Sequence, residues 1–114
     1  MPLIRLTTSA TAPAETLQAV LASLSKIAAD TIGKPEQYVM AAGASGPMLM
    51  SGKSGPAALV EVRSIGGLRP SVNQQLSRKV CALLEQSLGI PSERVFLNFT
   101  DVPPTSWGWR GETF

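Results

Sequence analysis

Residues 20–39 read VLASLSKIAADTIGKPEQYV, and residues 76–95 read LSRKVCALLEQSLGIPSERV. In both stretches apolar residues recur at spacings of three and four, which predicts an amphipathic helix. Each stretch then has a glycine and, two positions later, a proline, which predicts the end of the helix and a turn. An apolar run begins at Val39 and at Val95 and predicts a strand. The order helix, turn, strand therefore occurs twice.

Each predicted helix is preceded by a further apolar run, Leu3–Thr7 in the first half and Ala57–Ser64 in the second. The chain therefore divides into two similar halves, about 2–56 and 57–114, within a single domain of 114 residues. The strands after the helices are predicted at Tyr38–Ala42 and Val95–Phe99. Met48–Met50 is a candidate for a short additional edge strand.

The ends of the helices carry recognisable signals. Pro13 suits the first turn of the first helix, and Gly33 suits the position just after its end. Ser71 and Gln74 resemble a capping box at the start of the second helix, which Gly89 should end.

Two βαβ units predict an α/β (α+β) fold with a four-stranded mixed sheet. Because such crossovers are right-handed, both helices should lie on one face of the sheet. Tyr38–Ala42 and Ala57–Val60 lack clean polar alternation, which is typical of strands buried on both faces. The chain contains no further element that could cover the second face of the sheet. We therefore expect a symmetric homo-oligomer whose sheets face one another. Only 16% of the residues are charged, which agrees with a partly covered surface.

The composition excludes several kinds of chemistry. Histidine is absent, which rules out Ser-His-Asp and Cys-His catalysis and histidine-bound metals. One cysteine, Cys81, allows no internal disulfide and no cysteine-rich zinc site. We therefore expect no metal and no cofactor. The net charge of +2 is too small for a nucleic-acid footprint but compatible with a small anion.

No targeting or membrane segment is expected. Arg5 interrupts the start of the chain, and the uncharged stretch from Tyr38 to Gly52 is too short to span a bilayer. We expect a soluble, leaderless, cytoplasmic protein.

Three motifs have ordinary structural explanations. Ser51-Gly52-Lys53-Ser54 resembles a phosphate-binding loop, but a strand rather than a helix is predicted to follow, so a surface turn is favoured. Cys81 lies on the apolar stripe of the second helix and is interpreted as a buried structural thiol. Trp107-Gly108-Trp109 is more typical of a packed C-terminal hairpin than of an aromatic ligand site.

Pro2 is the strongest candidate for a catalytic group in this sequence. Initiator methionine is generally removed before a small residue, and removal would leave a secondary amine at the chain end. Burial and a nearby cation both lower the pKa of an amine, so it could act as a base near neutral pH. Without further context, an ordinary terminal residue would be the favoured interpretation.

Several short motifs occur together and in order along the whole chain. They are Met1-Pro2-Leu3-Ile4, Ile32-Gly33-Lys34-Pro35, Ser64-Ile65-Gly66, Arg94-Val95-Phe96-Leu97-Asn98-Phe99 and Gly108-Trp109. This pattern resembles the macrophage migration inhibitory factor family of the tautomerase superfamily, and in particular its microbial members.

The resemblance implies a homotrimer whose three sheets form a central barrel. It also implies keto–enol tautomerase activity on aromatic α-keto acids such as phenylpyruvate, or on dopachrome-type compounds. In the family's pattern Pro2 is the general base, and the substrate is a small anion. The positions that match substrate-binding residues are Lys34, Ile65, Phe96, Trp109, Phe114 and, from a neighbouring subunit, Asn98.

Three departures from the family's pattern matter. Phe96 stands where the best-known members carry tyrosine. Pro56–Val60 replaces the Cys-x-x-Cys of vertebrate members, so dithiol chemistry is not expected. No arginine occurs between Arg5 and Arg63, and the early-loop arginine linked to receptor binding is therefore missing. A cytokine-like protein, secreted without a leader and binding a host receptor, remains the alternative to the enzyme.

Overall fold

The computed structural model describes residues 1–114, in which the order strand, helix, strand occurs twice. The main elements are β1 (Pro2–Thr8), α1 (Ala14–Ile32), β2 (Met40–Ser45), β3 (Ala58–Ser64), α2 (Pro70–Leu88) and β4 (Val95–Asp101). A C-terminal hairpin follows, with strands β5 (Gly108–Trp109) and β6 (Glu112–Thr113). Short 3₁₀ helices lie at Glu36–Tyr38, Ser92–Arg94 and Pro104–Ser106.

The four main strands form one mixed sheet in the order β2-β1-β3-β4. β1 is parallel to β2, β3 is parallel to β4, and the central pair β1 and β3 is antiparallel. Each parallel pair is connected through a helix, as parallel neighbours require. The predicted α/β fold of two βαβ units and a four-stranded mixed sheet is confirmed.

The hydrophobic core lies between the two helices and one face of the sheet. Ile4 and Leu6 of β1 and Val60 and Val62 of β3 are at most 1% exposed. The helices contribute Val20, Leu24, Ala28, Val72, Leu76, Val80 and Leu84. Each large aliphatic side chain buried in this way contributes about 1.5–3 kcal/mol to folding. Neither helix combines the length and the hydropathy that a membrane span requires.

The opposite face of the sheet is uncovered in the single chain. The strand register places three rows of side chains across it, Met40–Leu3–Arg63–Thr100, Ala42–Arg5–Glu61–Asn98 and Ala44–Thr7–Leu59–Phe96. At the two edges of this face Met40 and Phe96 are each 65% exposed. Buried and partly exposed residues alternate along β3. Its buried apolar side chains pack in the core, and the others lie on the open face.

The second strand begins later than the sequence predicts. β2 starts at Met40 rather than Tyr38 and continues to Ser45. The Tyr38 N–H donates to the Pro35 carbonyl at 3.0 Å, and the Val39 N–H donates to the Glu36 carbonyl at 3.0 Å. These backbone groups are used by a turn and are therefore not free to join the sheet.

The start of the second helix also differs from the prediction. α2 begins at Pro70, with Arg69 as its N-cap residue, and no side chain caps it. Ser71 is already inside the helix, so the predicted capping box is wrong; the fixed φ of Pro70 suits the first helical position instead. At the start of α1, Pro13 occupies the N-cap position, one residue before the helix.

The segment between β2 and β3 contains a tight turn and no strand. Met50 and Lys53 exchange backbone hydrogen bonds of 3.0 and 3.1 Å. Ser51 and Gly52 between them have positive φ angles of 55° and 70°, as a two-residue turn of this kind requires. The edge strand considered at Met48–Met50 is therefore wrong, whereas the surface turn at Ser51–Ser54 is present and leads into β3 without a helix.

Candidate active site at the Pro2 edge of the sheet

The strand directions bring four chain segments to one edge of the sheet. Pro2 starts β1 and faces Ser64 at the end of β3, and Ser64 faces Asp101 at the end of β4. Leu3 faces Met40 at the start of β2. The turn before β2 and the hairpin after β4 therefore both lie beside the start of the chain.

A cavity of about 400 Å³ lies at this edge and contains most of the predicted binding residues. It is lined by Lys34, Ile65, Trp109 and Phe114, together with Met1, Tyr38 and Pro104. These four predicted residues come from the end of α1, the loop after β3 and the C-terminal hairpin. The fold thus assembles them from segments that are far apart in sequence.

A second cavity, of about 610 Å³, lies beside the first. Pro2, Met40, Trp107 and Arg110 line it, and Met1, Tyr38 and Trp109 line both cavities. Pro2 itself is buried at the base of this edge, where its ring belongs to the core-facing side of β1. Met1 therefore lies where the two cavities meet.

Three aromatic residues, Tyr38, Trp109 and Phe114, form an aromatic wall at this edge, and the first two line both cavities. Tyr38 and Trp109 meet edge to face, with ring centroids 6.1 Å apart. Phe114 stacks almost parallel to Trp109, with centroids 6.0 Å apart and an interplanar angle of 7°. Aromatic pairs in these two geometries stabilise one another beyond their buried area. The hairpin is thereby fixed against the turn that precedes β2.

The start of the chain lies in an environment that favours a neutral amine. Burial, and to a smaller extent the positive charge of Lys34, lower the pKa of the Met1 α-amine from its usual range. Both causes act against the charged form of an amine. The Lys34 charge is therefore close enough to influence a base at this position.

The loop after β3 is fixed by local hydrogen bonds. The Ser64 hydroxyl donates to the Gly66 carbonyl at 2.8 Å, and the Gly66 N–H donates to the Asp101 carboxylate at 2.9 Å. Gly67 adopts φ +83°, and a Cβ there would lie 2.8 Å from Ile32 and 3.8 Å from the Lys34 side chain. A glycine is required at this position because the loop packs directly on the end of α1, next to Lys34.

Phe96 and Asn98 are not part of this edge in the single chain. Phe96 pairs with Leu59, and Pro2 pairs with Ser64, so Phe96 lies five residues away along the strands and two strands across. That is roughly 16 Å along the strand direction alone. Asn98 lies in the middle row of the open sheet face, opposite Glu61. The fold therefore gathers Pro2, Lys34, Ile65, Trp109 and Phe114 but not these two residues.

Tyr38 and Arg110 also belong to this edge, although no signal in the sequence marks them as site residues. The sequence predicts Tyr38 in a strand, and only the turn after Pro35 brings its ring toward Trp109. Arg110 follows Trp109 in the two-residue turn of the hairpin, where its φ is 56°. The hairpin predicted at Trp107–Trp109 is present, but the sequence does not show that it lies against the chain start.

Cys81 has the properties of a structural thiol. It is half-buried on α2 and packs against the core. Burial, with a contribution from the Glu85 charge, raises the pKa of the thiol. A raised pKa disfavours the reactive thiolate, so this cysteine stays separate from the chemistry of the Pro2 edge.

The fold and this edge together define a small α/β protein of two βαβ units, in which Pro2 lines one of two adjoining cavities and Lys34 lines the other. Tyr38 and Trp109 line both. The chain belongs to the Macrophage migration inhibitory factor (MIF) family, whose family model matches residues 1–114. That family lies within the tautomerase superfamily, which supports an isomerase type of activity.

Individual relatives agree with this assignment. Macrophage migration inhibitory factor from Xenopus tropicalis is 34% identical over 96 residues, covering 83% of this chain and 84% of the relative. The crystal structure of an MIF homologue from Prochlorococcus marinus is 44% identical, with a TM-score of 0.92 and 98% of each chain covered. The MIF-like protein from Entamoeba histolytica is 32% identical, with a TM-score of 0.96 over 99% of this chain and 98% of that one.

Proposed function

We propose that this protein is a keto–enol tautomerase of aromatic α-keto acids such as phenylpyruvate, with dopachrome-type compounds as a related substrate class. The observation that supports this most is that Pro2 and Lys34 line two adjoining cavities that share Tyr38 and Trp109. Burial and the Lys34 charge lower the pKa of the Met1 α-amine at this position. Removal of Met1 would leave the Pro2 nitrogen as a secondary amine in the space where the two cavities meet.

The chemistry follows from the residue types. The neutral Pro2 nitrogen would take the proton from the carbon next to the keto group, and the C–H electron pair would form the C=C bond of an enolate. The protonated Pro2 nitrogen would then give the proton to the enolate oxygen, which completes the enol and restores the neutral base. Lys34 would hold the substrate carboxylate and stabilise the negative charge that develops on the enolate oxygen. Ile65, Trp109 and Phe114 would surround the substrate ring and exclude water from it.

We further propose that the active form is a homotrimer in which the open sheet faces surround a central barrel. The exposed Met40 and Phe96 on that face support a cover by sister subunits. The strand register keeps Phe96 and Asn98 away from Pro2 of their own chain, so they would reach the pocket of a neighbouring chain. Asn98 would then donate its side-chain amide to the bound substrate.

The test of the proposed function is a direct assay of phenylpyruvate tautomerisation with a chain shown by intact mass to begin at Pro2. The matched variant is Pro2→Gly, which keeps a terminal amine but makes it primary and more mobile. Because this amine is no longer held in position, we expect a loss of up to roughly 10²–10⁴-fold. Full activity of the variant, or none in the wild-type chain, would contradict the proposal.

The alternative is a cytokine-like protein that is secreted without a leader and binds a receptor. The name of the curated relatives, macrophage migration inhibitory factor, favours this second candidate. A pull-down with host receptor ectodomains, in parallel with the tautomerase assay, separates the two. Receptor binding by a chain without tautomerase activity would favour the alternative over the cytoplasmic enzyme.

A further inference from the structure

Arg110 is a cation with no acidic partner at the edge of the Pro2 site. It forms no ion pair and no side-chain hydrogen bond with any residue of the chain, although Glu112 is only two residues away. The chain's ion pairs involve only Arg5, Glu61, Arg63, Lys26 and Asp30. Its guanidinium is therefore free to bind an anion from solution.

A side-chain contact and a backbone turn hold Arg110 in place. The guanidinium carbon lies 4.5 Å from the centroid of the Trp109 ring, which is a cation–π arrangement. The backbone is fixed by the hairpin turn, in which Arg110 and Gly111 have φ angles of 56° and 80°. An arginine at positive φ is less stable than a glycine or an asparagine would be. The stability of the turn therefore does not explain why an arginine occupies this position.

The charges around the site give the ligand class. Lys34 and Arg110 are the only side chains with a formal charge among the residues that line the two cavities, one in each. The cavities share Met1, Tyr38 and Trp109, and Pro2 borders the cavity that contains Arg110. A ligand that extends from one cavity into the other, past the residues they share, would therefore meet a cation at each end.

We propose that Arg110 forms a second anion subsite, so that the preferred substrate is an enolisable α-keto acid with a second carboxylate at its far end. The α-keto carboxylate would lie at Lys34, and the second carboxylate would accept hydrogen bonds from the Arg110 guanidinium. A planar guanidinium suits this role because it can donate two parallel hydrogen bonds to one carboxylate. The inference rests on the proposed tautomerase function for the reacting part of the substrate.

The test compares phenylpyruvate with 4-carboxyphenylpyruvate, using chains that begin at Pro2. The variant is Arg110→Asn, which removes the cation and is well tolerated at positive φ, so the hairpin should keep its turn. Arg110→Lys keeps the charge, and Arg78→Gln on the outer face of α2 is the matched control for loss of one positive charge. We expect wild type to prefer the dicarboxylate in kcat/KM by about tenfold, the worth of one charge-assisted contact.

In Arg110→Asn this preference should disappear, because kcat/KM should fall further for 4-carboxyphenylpyruvate than for phenylpyruvate. Arg110→Lys should retain part of the preference, and Arg78→Gln all of it. Equal losses for both substrates in Arg110→Asn would mean that the arginine only supports Trp109, and the proposal would be wrong. No preference in wild type would overturn it as well.

A binding measurement keeps this inference separate from the proposed activity. Quenching of tryptophan fluorescence can be titrated with 4-carboxyphenylacetate and with phenylacetate, neither of which needs to be turned over. Tighter binding of the dicarboxylate in wild type but not in Arg110→Asn would support the subsite even if no tautomerisation were found. The same affinity for both ligands in wild type would overturn it.

Discussion

Tyr38 and Trp109 meet edge to face, with ring centroids 6.1 Å apart and an interplanar angle of 88°. Seventy residues lie between them in the sequence, yet this pair joins the turn before β2 to the C-terminal hairpin. It also forms the wall shared by the two cavities at the Pro2 edge. The contact therefore links the end of the chain to its beginning and gives the candidate site its shape.

Retention of Met1 should abolish activity without changing the fold. With Met1 attached, the Pro2 nitrogen is part of a tertiary amide, whose delocalised lone pair has no useful basicity. Met1 also lines both cavities. We expect roughly 10²–10⁴-fold less phenylpyruvate tautomerisation from a chain that intact mass shows to keep Met1. Circular dichroism should be unchanged, and equal activity of the two forms would rule out the proline base.

Lys34→Gln should weaken the enzyme and change its pH profile. Loss of the cation removes a contact to the substrate carboxylate, so we expect kcat/KM to fall by about tenfold or more. The Lys34 charge also helps to lower the pKa of the Met1 α-amine, and we expect it to act in the same direction on the Pro2 amine that replaces it. Without it that pKa rises, so the pH at which the base becomes neutral and activity appears should move upward.

The measurement for this prediction is kcat/KM for phenylpyruvate between about pH 5 and pH 9, a range that brackets the usual pKa of a terminal amine. Lys53→Gln, in the turn between β2 and β3, is the matched control because Lys53 lies outside both cavities. An unchanged profile in Lys34→Gln would show that Lys34 is only a solvated charge at the end of the helix.

Mixing two inactive variants should restore activity if neighbouring chains share the site. Pro2→Gly lacks the fixed secondary amine, and Asn98→Ala lacks the amide that we propose comes from the next subunit. In randomly mixed trimers about one site in four would combine a wild-type Pro2 with a wild-type Asn98. Subunit exchange followed by the phenylpyruvate assay measures this. Activity no higher than the average of the two variants would place the whole site within one chain.

Glu61→Gln should destabilise the sheet at neutral pH and have little effect in acid. The Glu61 carboxylate accepts hydrogen bonds from Arg5 at 2.8 and 3.2 Å and from Arg63 at 3.4 Å. The hydrogen bond from Arg5 is the main cause that lowers the pKa of this carboxyl. Its contribution is therefore fully present above the ordinary carboxyl pKa and is lost as the pH falls through the lower folded-state value.

Because these side chains are partly exposed, we expect a loss of at most about 1 kcal/mol in the free energy of unfolding near pH 7. Urea unfolding of wild type and Glu61→Gln at neutral pH and near pH 3 measures the difference, with Glu93→Gln as a control without an ion pair. A difference that stays the same in acid would mean that the effect is not due to the charge.

The local signals in the sequence were sufficient for the main elements. The spacing of Val20, Leu24 and Ala28, with Gly33 after them, determined α1, because such an apolar stripe is stable only when it faces a core. The same holds for α2 and for the four strands. Where two local signals competed, the prediction failed. Tyr38 is a good strand residue, but the turn after Pro35 uses its N–H group.

The sequence by itself determined the residue types of the candidate site and, through its family pattern, the importance of Pro2, Lys34 and Ile65. Only the tertiary structure decided which of these residues meet. The directions of β1, β3 and β4 bring Ile65 and the hairpin to Pro2 and carry Phe96 away from it. Arg110 lies against Trp109 because both belong to the C-terminal hairpin, and that hairpin lies next to the start of the chain. Spacing along the chain does not contain this information, because pairing between distant segments is set by the sheet topology and by side-chain packing across it.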